Sequence, residues 1–105
     1  MSRRLIVRRR AKADIREARR WYEARRAGSG RALVAEVDAT LAQIRAMPMR
    51  FPEVMPGVRR ALTNKFPFAV YFRIGDSRVI VIVVIHTSRD SEAWQQRVDE
   101  DLRES

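Results

Sequence analysis

Cysteine is absent from the 105 residues, and histidine occurs once. Without thiols there is neither a disulfide framework nor a thiolate metal site, and one histidine cannot build a structural zinc centre. No metal and no cofactor are expected. Long apolar runs are also missing. The longest, Val79–Ile85, falls far short of the ~20 residues that a membrane-spanning helix needs. The basic N-terminus, Met1-Ser2-Arg3-Arg4-Leu5-Ile6-Val7, holds too few apolar residues for a signal-peptide core. The expectation is a soluble, cytoplasmic protein with no membrane partner. No carboxylate pair, glycine-rich phosphate loop or nucleophile elbow is present, so most enzyme classes have no support. Internal repeats and low-complexity tracts are absent as well.

What is abundant is positive charge. Lysine and arginine number 22 against 13 acidic residues, for a net charge of +9 and an isoelectric point near 11.4. Such a field favours encounter with a polyanion, either nucleic acid or an acidic protein. Arginine greatly outnumbers lysine, and its planar fork suits carboxylate or phosphate. Hydrophobic residues at 46% and charged residues at 33% describe an ordinary globular chain rather than a disordered one. The length predicts one domain over 1–105.

The periodicity predicts an α+β layer. Leu5-Ile6-Val7 reads as a short strand ended by Arg8-Arg9-Arg10. From Ala11, the residues Ala11, Ile15, Ala18 and Tyr22 keep helical spacing with Trp21 beside them; Arg16, Arg19, Arg20 and Glu23 form the opposite, solvated face. Gly28-Ser29-Gly30 breaks this helix. Leu33, Val37, Leu41 and Ile44 mark a second helix, ending near Met47-Pro48 because the residue before proline is pushed out of the α region. So short a turn predicts an antiparallel helical hairpin. Pro48 to Gly57, with three prolines and a glycine, reads as a loop. Three strands should follow: Val58–Phe66, Phe68–Ile74 and Val79–Ile85, the last two joined by a turn at Gly75-Asp76-Ser77. Phe68, Val70 and Phe72 alternate with Ala69, Tyr71 and Arg73, while Val79–Ile85 is apolar on both faces, as in a strand covered on both sides. Ser91–Arg103 places Trp94, Val98 and Leu102 on one helical stripe, with Asp90 as its natural N-cap. Two helices cover only one sheet face. The second must be covered by the C-terminal helix or by another chain, and left bare it would be an interaction site.

Several of these residues, in this order and spacing, resemble the RelE/ParE toxins of type II toxin–antitoxin systems. They are Asp14-Ile15, Trp21-Tyr22-Glu23, the Gly28–Gly30 break, Glu36-Val37, Phe51-Pro52, Arg59-Arg60, Phe66-Pro67-Phe68, Val70-Tyr71-Phe72 and His86-Thr87-Ser88-Arg89-Asp90 with Trp94 and Arg97. The ParE branch, often called plasmid stabilisation proteins, is the better match. Two departures affect helix caps: Arg8-Arg9 stands where members often carry Ser-Pro, and Arg89-Asp90-Ser91 where Arg-Asp-Pro is familiar. The resemblance implies that the N-terminal strand and a three-stranded antiparallel meander form a four-stranded, mostly antiparallel sheet backed by the helical hairpin. It implies a cognate antitoxin with an acidic C-terminal segment. It also implies growth arrest by the free toxin, through DNA gyrase in the ParE branch or through ribosome-dependent mRNA cleavage in the RelE branch.

Candidate site residues follow from charge and resemblance together. A ribonuclease needs an acid, a base and cations for the phosphate charge of the transition state. Tyr71, His86 and Arg89 are the residues that would serve. Each also has a structural reading: an aromatic packed in a strand, a histidine bonded to the next turn, an arginine on a binding face. The preferred expectation is a gyrase inhibitor without hydrolytic chemistry, touching its target through Arg59, Arg60, Arg73, Arg89 and Trp94. Antitoxin contact is expected on the hairpin and the second sheet face, through Trp21, Arg20, Leu33, Val37, Arg8 and Arg10. A third alternative is an inactive relative that only binds its antitoxin. Sequence-specific DNA binding by this chain alone is not expected, since no recognition helix and no exposed aromatic platform is visible.

Overall fold

The computed structural model describes residues 3–89 and 91–104. The chain runs β1 (Arg4–Val7), α1 (Arg9–Arg25), α2 (Ser29–Ala46), a 3-10 turn (Pro48–Arg50), β2 (Glu53–Met55), β3 (Val58–Leu62), β4 (Phe68–Ile74), β5 (Arg78–His86) and α3 (Ser91–Glu104). The strands form one sheet in the order β1-β5-β4-β3-β2.

The sheet is mostly antiparallel, as the resemblance implies, with one parallel pair and one strand more than expected. First, β1 lies parallel to β5, pairing Arg4 with Arg78 through Val7 with Val81. Parallel neighbours cannot be joined by a tight turn; here everything from α1 to β4 lies between them, and the sheet is mixed. Second, there are five strands. Part of the stretch that reads as a loop is β2, antiparallel to β3. Only three residues long, it sits at the sheet edge, where neighbouring prolines cost no ladder hydrogen bond. Its turn closes through the Glu53 carboxylate, which accepts the Gly57 N–H at 3.0 Å; Gly57 has a φ of +79°. In the other direction β3 is shorter than expected and ends at Leu62. Beyond it, Glu36 of α2 accepts the N–H groups of Lys65 and Phe66 at 2.8 and 2.7 Å. Those amides are thereby removed from the ladder.

In α1 and α2 the stripes meet the sheet as their spacing requires. Ala11, Leu33, Val37, Leu41 and Ile44 pack with Phe68, Val70, Phe72, Val79 and Val81 on one face. Glu23 projects from the solvated side of α1, yet it has a structural task. Its two oxygens accept the N–H groups of Gly28 and Gly30, each at 2.9 Å. These backbone bonds, that of Gly28 first, hold its carboxyl below the ordinary 4.5. Gly30 lies tight against α1. A Cβ there would lie 2.7 Å from the Arg19 carbonyl oxygen and 2.9 Å from Arg19 Cγ. Gly28 instead sits in open space, but at φ +89°. Gly30→Ala is therefore expected to cost ~1–3 kcal/mol through helix displacement, and Gly28→Ala only ~1 kcal/mol through strain. Urea unfolding of the two variants checks the order; a milder effect at Gly30 would contradict the packing.

The second sheet face is covered by α3. Trp94 and Val98 pack with Val58, Ala69, Tyr71, Ile80, Ile82, Val83 and Ile85, and the rings of Tyr71 and Trp94 stack at 4.3 Å and 8°. Antitoxin contact on this face is thus corrected, because the chain's own helix fills it. Leu102, the third residue of the helical stripe, is 43% exposed. The Asp90 cap lies outside the described residues. Among those residues no helix is long and apolar enough to cross a membrane.

Candidate functional site

Because β1 ends at Val7 while β5 runs on to His86, the last part of β5 lacks a strand neighbour on that side. Asp14 of α1 takes the vacant place. Its Oδ2 accepts the Val84 N–H at 3.0 Å. Arg97 of α3 then grips Asp14 with both nitrogens, at 3.0 Å to Oδ1 and 2.9 Å to Oδ2. One carboxylate thus ties the hairpin, the sheet and the C-terminal helix together, and both side chains are more than four-fifths buried.

Two clefts adjoin this knot, and Arg97 lines both. One, of about 660 Å³, runs between α1 and the end of β5, with Glu17, Trp21, Tyr22, His86 and Arg89 in its wall. Trp21 is 51% exposed. Its ring carries the Arg25 guanidinium at 3.4 Å, and it meets Tyr22 edge-on at 4.9 Å. His86 packs edge-on against Phe68 at 5.3 Å, and its Nδ1 accepts the Ser88 N–H at 3.1 Å. The other cleft, of about 580 Å³, is bounded by the start of α1, by β4 and β5, and by the C-terminal half of α3.

The residues expected to act together are partly separated. His86 and Arg89 share the larger cleft, but Tyr71 does not line it. Tyr71 is 4% exposed beneath Trp94, as its reading as an aromatic packed in a strand has it and not as a catalytic phenol would need: alternation places it on the second face, and α3 covers that face. Trp94, expected at a target interface, is 8% exposed for the same reason. The arginines expected to touch a target do not converge either. Arg59 pairs across the sheet with Phe72, and Arg60 with Tyr71, so the two point to opposite faces. Arg59 is committed internally: Nη1 donates to the carbonyl oxygens of Met49 and Phe51 at 3.3 and 2.5 Å. Arg73 lies in the smaller cleft, 3.8 Å from Asp101, and Arg89 is exposed in the larger one.

Of the residues expected to meet an antitoxin, Trp21 and Arg20 are exposed on α1. Leu33 and Val37 are a correction: at 0% and 1% exposure, their stripe is spent on the sheet. Arg8 and Arg10 are engaged with α3, through Asp101 at 2.9 Å and Glu100 at 2.7 Å. Asp14, Arg97 and Asp101 had no role in the reading of the residues themselves. Partners 83 positions apart, as Asp14 and Arg97 are, leave no local spacing to read.

Comparison with known proteins agrees with this architecture. The family description "ParE toxin of type II toxin-antitoxin system, parDE" matches residues 5–91. Among solved structures, the chromosomal ParDE toxin–antitoxin system of P. aeruginosa is similar, with a TM-score of 0.72 and 19% identity, over 81% of this chain and 96% of that one. The E. coli toxin RelE, solved as a mutant in the free state, gives 0.68 and 18%, over 95% of this chain and 98% of the other. At such identities these two show a shared fold. No curated protein matches the sequence. With the family match spanning most of the chain and the fold agreeing, the chain belongs to the ParE toxin family of type II toxin–antitoxin systems.

Proposed function

We propose that the chain arrests growth in the cytoplasm by binding DNA gyrase, without cutting RNA, and is neutralised by an antitoxin with an acidic segment. The observation that carries the choice against cleavage is Tyr71, stacked beneath Trp94 and 4% exposed. A phenol in that position cannot reach an RNA strand, so Tyr71, His86 and Arg89 are not assembled as the acid, base and cation that cleavage through a 2′-hydroxyl requires. The exposed Trp21 beside Arg20 and Arg25 on α1 supports an antitoxin contact there. An aromatic ring among cations offers both apolar area and charge to an acidic, partly hydrophobic segment.

Expression of the chain alone, with gyrase supercoiling assayed in vitro and mRNA integrity followed in the same cells, tests this reading. Lost supercoiling with intact mRNA is the expected result. Codon-phased mRNA cuts would replace it with the endonuclease, and unimpaired growth would leave an inactive antitoxin-binding relative. A neighbouring gene for a small, acidic-tailed protein should restore growth, and Trp21→Ala should weaken that rescue.

A further inference from the structure

The smaller cleft is lined by Arg8, Arg9, Arg10, Arg73, Arg78 and Arg97, against two acids, Asp101 and Glu104. Three of its cations have close internal partners: Arg97 on Asp14, Arg10 on Glu100 and Arg8 on Asp101. Arg9 and Arg78 are exposed at the mouth. The resident carboxylate lies unevenly between two of these cations. Asp101 Oδ1 is 2.9 Å from Arg8 Nε, whereas Oδ2 is 3.8 Å from Arg73 Nε, which is buried without a hydrogen-bond partner. A planar carboxylate reaches one guanidinium and falls short of the next.

The backbone adds to the same field. Helix α1 begins in this wall, with no side-chain cap and no acidic residue in its first turn. Its first helical bond runs from Lys12 N–H to the Arg8 carbonyl at 2.9 Å, and the Arg8 N–H is donated to Val81, so the amides of Arg9, Arg10 and Ala11 are the donors the helix leaves unused. Arginines at the positive end of a helix dipole oppose the arrangement that stabilises a helix. Local rules broken in this way are expected at functional or strained positions, and this one lies beside a concave surface. An anion there would relieve the repulsion and fill the donors together.

We propose that this cleft is a phosphate-binding site, in which a phosphoryl group takes the place of the Asp101 carboxylate between Arg8 and Arg73 and is held at the mouth by Arg9 and Arg78. With three strong acceptor oxygens in a tetrahedral arrangement, a phosphoryl group serves two facing guanidinium groups where a carboxylate serves one. The ligand chemistry is a phosphate oxyanion, whether on a nucleic-acid backbone or on a free polyphosphate. The site stands apart from the gyrase and antitoxin reading and holds whether or not that reading does.

The test is fluorescence anisotropy of a short labelled oligonucleotide with the full chain, as a function of salt, and its displacement by inorganic pyrophosphate. Arg9→Gln with Arg78→Gln, two exposed changes, should weaken binding about tenfold and reduce the log–log salt slope by about 1–2. A charge-matched control, Arg16→Gln with Arg50→Gln, should change it less than about twofold, since those exposed residues line neither cleft. Asp101→Asn should strengthen binding severalfold; should that variant fail to fold, the two arginine doubles still decide. Displacement by micromolar pyrophosphate assigns the site to free polyphosphate, and displacement only at millimolar levels assigns it to a nucleic-acid strand; either supports the proposal. An equal loss in the control double would overturn it, as delocalised charge. So would a folded Asp101→Asn with unchanged affinity. A hexaglutamate peptide that displaces the oligonucleotide as well as pyrophosphate does would also overturn it, in favour of an acidic protein segment.

Discussion

Trp94→Ala is expected to lower stability by ~3–5 kcal/mol, the usual loss for truncating a large buried aromatic. For a domain of this size, each kcal/mol moves Tm by ~4–8 °C, so a drop well above 10 °C should appear in a thermal melt. The site leaves little room for relaxation. Trp94 lies flat against Tyr71 at 4.3 Å, and the other fully buried anchor of α3 is Val98, at 0% exposure. Removing the indole leaves Tyr71 uncovered and α3 held chiefly by Val98 and its ion pairs. If α3 instead detached as a unit, the melt would move less, and hydrogen exchange would speed up in residues 91–104 while β4 and β5 stayed protected. A Tm within ~4 °C of the parent's, with α3 still protected, would mean that the stack contributes almost nothing.

That result bears on how far the sequence could be read. The stripes Leu33/Val37/Leu41/Ile44 and Phe68/Val70/Phe72 point where their periods say, because burial on one side of a helix or strand is a local property. The apolar run Val79–Ile85 correctly signals cover on both faces. What spacing cannot tell is which element supplies the second cover, and this decides which side chains stay accessible: with α3 in place, Tyr71 and Trp94 become core. Leu33 and Val37 fail as contact residues for a related reason, since an apolar stripe shows that something packs on it and not what. The strand β2 was illegible because three residues between prolines carry turn chemistry, and only the partner strand shows that they are paired. The ion pairs are the least legible layer. Arg8 and Arg10 read as a solvated run; their engagement with Asp101 and Glu100 joins opposite ends of the chain.

Asp14→Ala is the change expected to expose that hidden layer most clearly, at a cost of ~2–4 kcal/mol. Two losses combine. The Val84 N–H, on a residue 4% exposed, is left without its acceptor, and an unsatisfied buried donor costs ~1–3 kcal/mol. Arg97 is left with its charge in a site where its side chain is 17% exposed. Removing one partner of a fully buried pair costs ~3–5 kcal/mol, and the remaining solvent access here reduces that part. Asp14→Asn separates the two, because an amide oxygen can still accept the Val84 N–H while the charge on Arg97 goes unanswered. It should fall between wild type and Asp14→Ala. A double-mutant cycle with Arg97→Ala should give a coupling of ~1–3 kcal/mol, and the amide of Val84 should exchange faster in Asp14→Ala than in Arg97→Ala. Additive single effects with an unchanged Val84 amide would show that the knot is a surface contact. Coupling of the expected size would make one carboxylate on the first helix the tie between hairpin, sheet and C-terminal helix, and hence the residue that keeps α3 seated over Tyr71.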